Sequence, residues 1–185
     1  RKLEMYSKFG QFIDGKWQPS EKKETYDVIN PANEEIIGKA SKASPKDVDK
    51  ALSSAEKGFL IWKKTPPWQR SYVIRKIADL MRKKSDILAK WITLEVGKPL
   101  AEALGEVNGA ADIFEWNAEE TKRIYGQTVE SRFENTRVHV YYQPVGVVAA
   151  LVPWNFPMVL AARKISTALA AGCSVICKPD VITPG

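Results

Sequence analysis

Two apolar segments flank one amphipathic segment in the last third of the chain. Residues 145–152 are apolar without alternation, which is typical of a strand buried on both faces. Residues 157–171 carry apolar side chains with a helical period, and Gly172 follows as a stop signal. A second short apolar strand is predicted at 174–177. The pattern predicts a βαβ unit with parallel strands and a right-handed crossover.

Short strands and then helices are predicted for the first two-thirds. Asp14-Gly15 favours a hairpin turn within 12–17, and extended segments follow at 26–30 and around 36–37. Ser44 followed by Pro45 marks the start of a first helix, which ends at Pro66-Pro67.

Two further helices are predicted after that one. The second runs through a basic segment to Gly97, and its apolar face is formed by Val73, Ile77, Leu80, Leu88 and Trp91. The third begins at Leu100 and closes near Gly126, and alternation predicts a half-exposed strand at 137–142. The fold class is therefore α/β, with an incomplete parallel Rossmann-like sheet, flanking helices and short antiparallel strands.

Polar residues follow both strands of the predicted βαβ unit. Asn155 lies in a loop between Pro153 and Pro157, and Lys178 follows the second strand. Because the carboxyl ends of parallel strands share one edge, both side chains are expected near one ligand. A nucleotide or small-anion site is one interpretation, and a proline-stiffened turn with a surface lysine is the other. The Gly-x-Gly-x-x-Gly dinucleotide fingerprint is absent.

Composition narrows the class of protein. With 44% hydrophobic and 10% aromatic residues in 185, the chain is expected to fold rather than stay disordered. The longest apolar run is far shorter than the ~20 residues of a membrane span, and no signal peptide is visible. Cys173 and Cys177 indicate neither a disulfide nor a metal site and are expected to be inert packing residues. A reducing cytoplasmic location is the expectation.

Positive charge is concentrated between Lys57 and Lys90. This segment has ten basic residues against Asp79 and Asp86, within a chain whose net charge is +6. A nucleic-acid surface is one interpretation. A solvated face of an amphipathic helix is the other, and it is preferred because no stacking aromatics or Gly-rich basic loops accompany the charges.

Several motifs together resemble the aldehyde dehydrogenase superfamily. They are Pro153-Trp154-Asn155-Phe156-Pro157, Leu169-Ala170-Ala171-Gly172-Cys173, Lys178-Pro179, Glu95-Val96-Gly97-Lys98-Pro99 and Gln143-Pro144-Val145-Gly146-Val147. The segments 114–120 and 163–165 are most similar to the succinate-semialdehyde dehydrogenase branch. The resemblance covers essentially the whole chain.

The resemblance implies a role for each matching residue. Asn155 would stabilise the oxyanion formed from the aldehyde, and Arg163 would bind a substrate carboxylate, unless it forms a structural ion pair instead. The implied residues of the NAD or NADP site are Val152, Pro153, Trp154, Asn155, Lys178 and Val181. An acidic residue often occupies the last of these positions, so valine leaves the choice of cofactor open.

The resemblance also implies what the chain lacks. The family's nucleophilic cysteine, general-base glutamate and Gly-rich cofactor turn belong to later segments, so the chain is expected to be an inactive N-terminal portion. Residues 1–132 would form the strands and helix cluster, 133–144 an oligomerisation strand with a structural His139, and 145–185 the first βαβ unit. A full-length protein would be a homo-oligomer, a dimer or tetramer, acting on a small aldehyde. The alternative is a catalytically dead binding module that pairs through Tyr141-Tyr142.

Overall fold

The computed structural model describes residues 10–185. Its helices are α1 (Pro45–Trp62), α2 (Pro67–Lys83), α3 (Ser85–Val96), α4 (Leu100–Glu120) and α5 (Pro157–Ala170). Its strands are β1 (Gln11–Ile13), β2 (Lys16–Gln18), β3 (Thr25–Ile29), β4 (Ile36–Ser41), β5 (Gln127–Glu130), β6 (Arg137–Val140), β7 (Val147–Leu151) and β8 (Ser174–Lys178). No helix in this part of the chain is long and apolar enough to cross a membrane.

The strands pair two by two in chain order. The pairs β1–β2, β3–β4 and β5–β6 are antiparallel, and β7–β8 is parallel. The expected α/β fold with one short parallel sheet and antiparallel strands is confirmed. In the first hairpin, Asp14 and Gly15 have φ of 55° and 74°, the left-handed values that a two-residue turn of this kind requires.

Helix α1 begins with the capping interaction that the sequence predicts. The Ser44 hydroxyl accepts a hydrogen bond from the Asp47 amide, and the Asp47 carboxylate accepts one from the Ser44 amide at 2.9 Å. The same carboxylate accepts a bond from the Glu21 amide at 3.1 Å, which ties the preceding loop to the helix. These bonds hold the pKa of Asp47 below its usual value.

The predicted single helix through the basic segment is wrong, because the chain forms α2 and α3 with a break at Lys84. The predicted apolar face is also wrong in part, since Val73 and Leu80 are 43% and 47% exposed. The apolar residues of α2 that are buried instead are Ile74, Ala78 and Met81. The helical period alone does not decide between the face that carries Val73 and the adjacent face that carries Ile74. Packing against α4 and α5 buries the face of Ile74.

Three helices form the main core. The buried residues of α2, α4 and α5 in this cluster are Ile74, Ala78, Met81, Ala110, Ala111, Phe114, Ala118, Ala162 and Ala170. Six of the nine are alanine, so the helix backbones approach closely and leave little room for a larger side chain. This cluster supports the N-terminal end of α5, where the candidate site begins.

The strand at 137–142 is shorter than predicted and has a partner that the sequence did not reveal. Strand β6 pairs with β5, and all eight residues of the two strands are exposed. The sequence of β5, Gln-Thr-Val-Glu, has no alternation of apolar and polar residues, so its pattern does not predict a strand. His139 contacts Thr128 across the pair at 3.1 Å, consistent with a structural role.

The βαβ unit is confirmed. Strand register runs from Val147 opposite Ser174 to Leu151 opposite Lys178, and α5 connects the two strands. Gly172 ends the helical segment at φ 90°. Burial of the first strand on both faces is wrong for the described residues, because Leu151 is 62% exposed. Each strand of a two-stranded sheet has only one neighbour, which shields its side chains incompletely.

Replacing Ile74 by alanine tests which face of α2 is buried. Because Ile74 is fully buried in the helix core, the free energy of unfolding is expected to fall by about 2–5 kcal/mol. The matched control is Val73→Ala, which should change it by less than about 0.5 kcal/mol because Val73 is exposed. Urea denaturation followed by circular dichroism measures both values, and equal losses would contradict the assigned face.

Candidate functional site

The carboxyl edge of the parallel sheet brings the two predicted loops together. The Val152 amide donates a hydrogen bond to the Lys178 carbonyl oxygen at 3.1 Å, so the chain leaves β7 and β8 side by side. Trp154 and Val181, from the two loops, are 48% and 57% exposed. This edge therefore presents an open surface with a lysine, as the sequence predicts for a nucleotide or anion site.

Helix α5 begins directly after the Asn155 loop, and its cap comes from a distant residue. Phe156 occupies the N-cap position and makes no side-chain capping bond. Glu106 on α4 supplies the acceptor instead, since its Oε1 accepts hydrogen bonds from the Met158 and Val159 amides at 2.9 and 3.3 Å. A carboxylate at a helix N-terminus is also favoured by the helix dipole.

Lys98 connects this carboxylate to the loop. Its ammonium forms an ion pair with Oε2 of Glu106, and the two side chains are only 9% and 1% exposed. The same ammonium donates to the Asn155 carbonyl oxygen at 3.2 Å and lies 3.7 Å from the centroid of the Phe156 ring. One buried pair therefore contacts both the loop and the start of α5.

A cavity of about 480 Å³ opens beside this pair. Its lining residues are Lys98, Glu102, Gly105, Glu106, Asn155, Phe156, Val159, Leu160 and Arg163. Asn155 and Arg163, predicted separately as catalytic and substrate-binding residues, thus line the same cavity. Among residues 10–185, no ion pair involves Arg163 and no hydrogen bond involves the Asn155 side-chain amide, which leaves the polar groups of both side chains able to meet a ligand.

The other predicted site residues lie apart from that cavity. Val152 lines a second cavity of about 180 Å³, together with Glu95 and Cys177. Pro153, Trp154, Lys178 and Val181 line neither of the two. The structure therefore separates the predicted residues into a cavity group and a sheet-edge group.

Lys98 and Glu106 are the residues of this site that sequence reasoning missed. Lys98 was part of a motif, but its position after Gly97 suggested only the end of a helix. Glu106 is buried on α4 beside the fully buried Ala103 and Val107. A carboxylate at a buried position of an apolar stripe is a detectable signal, because such a charge requires a partner.

The cysteine predictions are half correct. Cys173 is buried and Cys177 is exposed, and both are free thiols. The pKa of the Cys177 thiol is raised by partial desolvation, against a smaller opposing effect of the Lys164 ammonium. Neither thiol lines the cavity that holds Asn155. Among the described residues, no group of three or more His, Cys, Asp or Glu side chains could hold a metal ion.

The basic segment is partly neutralised within the protein. Arg75 forms ion pairs with Glu115 and Glu119, and Arg82 pairs with Asp112 and the same Glu115. These contacts join α2 to α4. Two of the ten basic side chains therefore serve helix packing, which favours the helix-face interpretation over a nucleic-acid surface.

Comparisons with known proteins agree with this architecture. A model of the aldehyde dehydrogenase family matches residues 17–185. A glutarate-semialdehyde dehydrogenase of Pseudomonas aeruginosa is 42% identical over 173 residues, which make up 94% of this chain and 36% of that protein. An NADP(+) succinate-semialdehyde dehydrogenase of Escherichia coli is 42% identical over 93% of this chain and 36% of its own length.

The chain belongs to the aldehyde dehydrogenase family. The crystal structure of an NADP-dependent enzyme of Escherichia coli matches with a TM-score of 0.93 at 41% identity, covering 96% of this chain and 37% of that one. A betaine aldehyde dehydrogenase of Staphylococcus aureus in complex with NAD+ matches with a TM-score of 0.93 at 35% identity, over 98% of this chain and 36% of that one. This aldehyde dehydrogenase chain spans little more than a third of the length of these relatives.

The second cavity contains a carboxyl group whose protonation is set by burial. Desolvation raises the pKa of Glu95 to about 8, against the opposing effect of the Gly185 amide, which donates to its Oε1 at 3.0 Å. The folded state therefore binds a proton that the unfolded chain releases near its ordinary value of 4.5. As pH rises between these two values, the free energy of unfolding falls.

Replacing Glu95 by glutamine should remove this pH dependence while keeping the acceptor oxygen. Between about pH 6 and about pH 7.5, the free energy of unfolding of the wild type is expected to fall by about 2 kcal/mol relative to that of Glu95→Gln. Urea denaturation at both pH values measures it, with the exposed Glu102→Gln as control. A difference that stays constant with pH would show that Glu95 ionises normally in the folded protein.

Proposed function

We propose that this chain is the N-terminal portion of an NAD(P)-dependent aldehyde dehydrogenase that oxidises a small aldehyde carrying a carboxylate, such as succinic semialdehyde. The observation that carries the proposal is the shared cavity of Asn155 and Arg163. The Asn155 amide suits the aldehyde end of such a substrate, and the Arg163 guanidinium suits its carboxylate end. The relatives that act on succinate and glutarate semialdehydes support the same substrate class.

We assign to the Asn155 side-chain amide the stabilisation of the oxyanion. When a thiolate attacks an aldehyde, negative charge develops on the carbonyl oxygen, and a fixed amide N–H lowers the energy of that state. The main chain of Asn155 is held by Lys98, and its side-chain amide makes no hydrogen bond within residues 10–185. A donor that is held in place and not otherwise engaged is what this role requires.

We assign to Arg163 the binding of the substrate carboxylate. This arginine lies on α5 eight residues after Asn155 and is exposed at the cavity. A guanidinium offers two parallel N–H donors to a carboxylate, an interaction about twice as strong as a neutral hydrogen bond. The neighbouring cation, Lys98, is already paired with Glu106, so Arg163 carries the cavity's available positive charge.

The open sheet edge is assigned to the cofactor. The Lys178 ammonium, at the end of β8, has the donors to bind ribose hydroxyls, and the exposed Trp154 with Val152 and Pro153 borders the same edge. Bound nicotinamide would accept the hydride of the aldehyde. Val181 brings no carboxylate to repel a ribose phosphate, so NADP is as acceptable here as NAD. Equilibrium titration of the chain with each nucleotide measures this preference.

The thioester chemistry requires a thiol that this part of the protein does not place at the site. Cys173 is buried and Cys177 lies in the second cavity, away from Asn155. We therefore assign the nucleophile and the general base to another part of the complete enzyme. The 185-residue chain alone is proposed to have no dehydrogenase activity, which an aldehyde-dependent assay of NAD(P)H formation would check.

Assembly with further copies is the second element of the proposal. Strand β6 and the residues after it expose a row of large side chains, namely Val138, Val140, Tyr141 and Tyr142. The unpaired backbone groups of an exposed strand edge are a template for pairing with another chain. We propose that β6 joins subunits of a homo-oligomer, a dimer or tetramer. Sedimentation of a longer product should then show an oligomer that Val140→Lys dissociates, and an unchanged oligomer in the variant would contradict the role of β6. The same surface would serve a catalytically dead binding module.

Replacing Arg163 by alanine tests the substrate assignment in an active enzyme that contains this chain. KM for succinic semialdehyde should rise by about tenfold or more, because a charge-assisted pair is lost, while KM for butyraldehyde stays unchanged. The exposed Lys76→Ala on α2 is the control for net charge. Equal losses on the two substrates would rule out a carboxylate-binding role.

A further inference from the structure

The Asn155 loop has no regular hydrogen bonding of its own to fix it. It connects the end of β7 to the start of α5, and its residues Pro153–Phe156 are exposed. The prolines at its two ends restrict the backbone only locally. What holds its centre must therefore come from other elements, and the contacts of Asn155 and Phe156 show which ones these are.

Lys98 satisfies its ammonium through three different contacts. One is the ion pair with Glu106, the second is the hydrogen bond to the Asn155 carbonyl oxygen, and the third is the face of the Phe156 ring. Two of these contacts are hydrogen bonds donated by the ammonium, and the third is a cation–π contact. Two of the three contacts are with the loop itself.

Glu106 fixes the other end of the same segment. Its two oxygens are divided between functions, because Oε2 accepts from Lys98 and Oε1 accepts from the amides of Met158 and Val159. Those amides belong to the first turn of α5, and they would lack an acceptor without Glu106 because Phe156 provides no side-chain cap. The carboxylate thus ties the helix start to the lysine that holds the loop.

Burial makes this connection stiff. The side chains of Lys98 and Glu106 are 9% and 1% exposed, so solvent screens the attraction between them only weakly. Glu106 lies on α4 within a segment packed on the helix core, and Lys98 follows the helix end at Gly97. Both groups are therefore anchored to rigid elements rather than to the loop.

We propose that Lys98 and Glu106 are positioning residues that fix the main chain at Asn155, so that its side-chain amide is presented to the cavity in one orientation. Neither residue needs to touch the substrate for this role. The inference rests on the proposed function of Asn155 as the oxyanion donor. The order that the buried pair gives to the Asn155 loop can be measured without an activity assay.

The experiment uses backbone ¹⁵N relaxation and amide hydrogen exchange of the 185-residue chain. In the wild type, the Asn155 amide is expected to show an order parameter near the ~0.85 of rigid backbone. In Lys98→Met it should fall below about 0.6, while the amides of Ile74 and Ala111 in the helix core remain unchanged. The matched control is Lys90→Met, which removes an exposed lysine from α3 and should change neither value.

Amide hydrogen exchange at the start of α5 tests the role of Glu106. In Glu106→Ala, protection of the Met158 and Val159 amides should fall by about tenfold or more, the effect of losing a hydrogen bond. Glu106→Gln keeps an acceptor oxygen and should restore most of that protection. Glu102→Gln, one turn earlier on α4 and also at the cavity, is the control.

Removing one member of a buried pair can unfold a protein, so two measurements remain decisive in that event. The double variant Lys98→Met/Glu106→Gln leaves no unpaired charge, and it should fold with a mobile Asn155 loop. The wild-type order parameter needs no variant at all. A value below about 0.6 in the wild type, or an unchanged loop in Lys98→Met or the double variant, would overturn the proposal.

A different measurement tests the proposed function of Asn155 separately from the positioning inference. In an active enzyme containing this chain, Asn155→Ala should lower kcat by about a hundredfold if the amide stabilises the oxyanion. An unchanged kcat would refute that role and leave the relaxation results intact. If the positioning inference is correct as well, Lys98→Met lowers kcat more than it raises KM, and Lys98→Arg restores part of the loss.

Discussion

The buried pair of Lys98 and Glu106 is the contact on which the geometry of the candidate site depends. It joins the turn after α3 to the first half of α4, eight residues further along the chain, and both to the start of α5, where Met158 lies 52 residues after Glu106. Taking two charges out of water is costly, and such a pair is retained only where hydrogen bonds satisfy the remaining donors and acceptors. Here those bonds go to the Asn155 loop and to the first turn of α5, so the groups that offset the cost of burying the pair also hold this loop.

Much of the fold follows from local signals in the sequence. The Asp14-Gly15 turn, the Ser44 cap, Gly172 and the two apolar strands each act over a few residues, and the structure confirms all of them. The errors arise where tertiary packing decides. The buried face of α2 is selected by packing against α4 and α5, and β5 lacks the alternation of apolar and polar residues that marks β6.

The site shows the same division between local and tertiary information. Motifs in the sequence identified Asn155, Arg163 and Lys178, and sheet topology predicted a common edge for the first and the last. That Asn155 and Arg163 share one cavity while Lys178 stands apart required the path of α5 in three dimensions. Lys98 and Glu106 differ, because the buried carboxylate on an apolar stripe signals that a partner is needed, while only the folded chain shows that the partner is Lys98 and that the pair contacts the Asn155 loop.

The two side chains that reach the far end of α5 have a consequence for how the chain is made. Trp62 donates its indole N–H to the Leu169 carbonyl oxygen at 2.9 Å, and the guanidinium of the buried Arg70 lies 3.4 Å from the carbonyl oxygen of Ala170. These partners are about a hundred residues apart in sequence. During synthesis Arg70 therefore has its local acceptor, the Thr65 carbonyl oxygen at 2.8 Å, long before the Ala170 carbonyl oxygen has been translated. The contacts of Trp62 and Arg70 with α5 can form only after α5 has left the ribosome, so the packing of the early helices is incomplete until then, and surface exposed in such states is what chaperones shield.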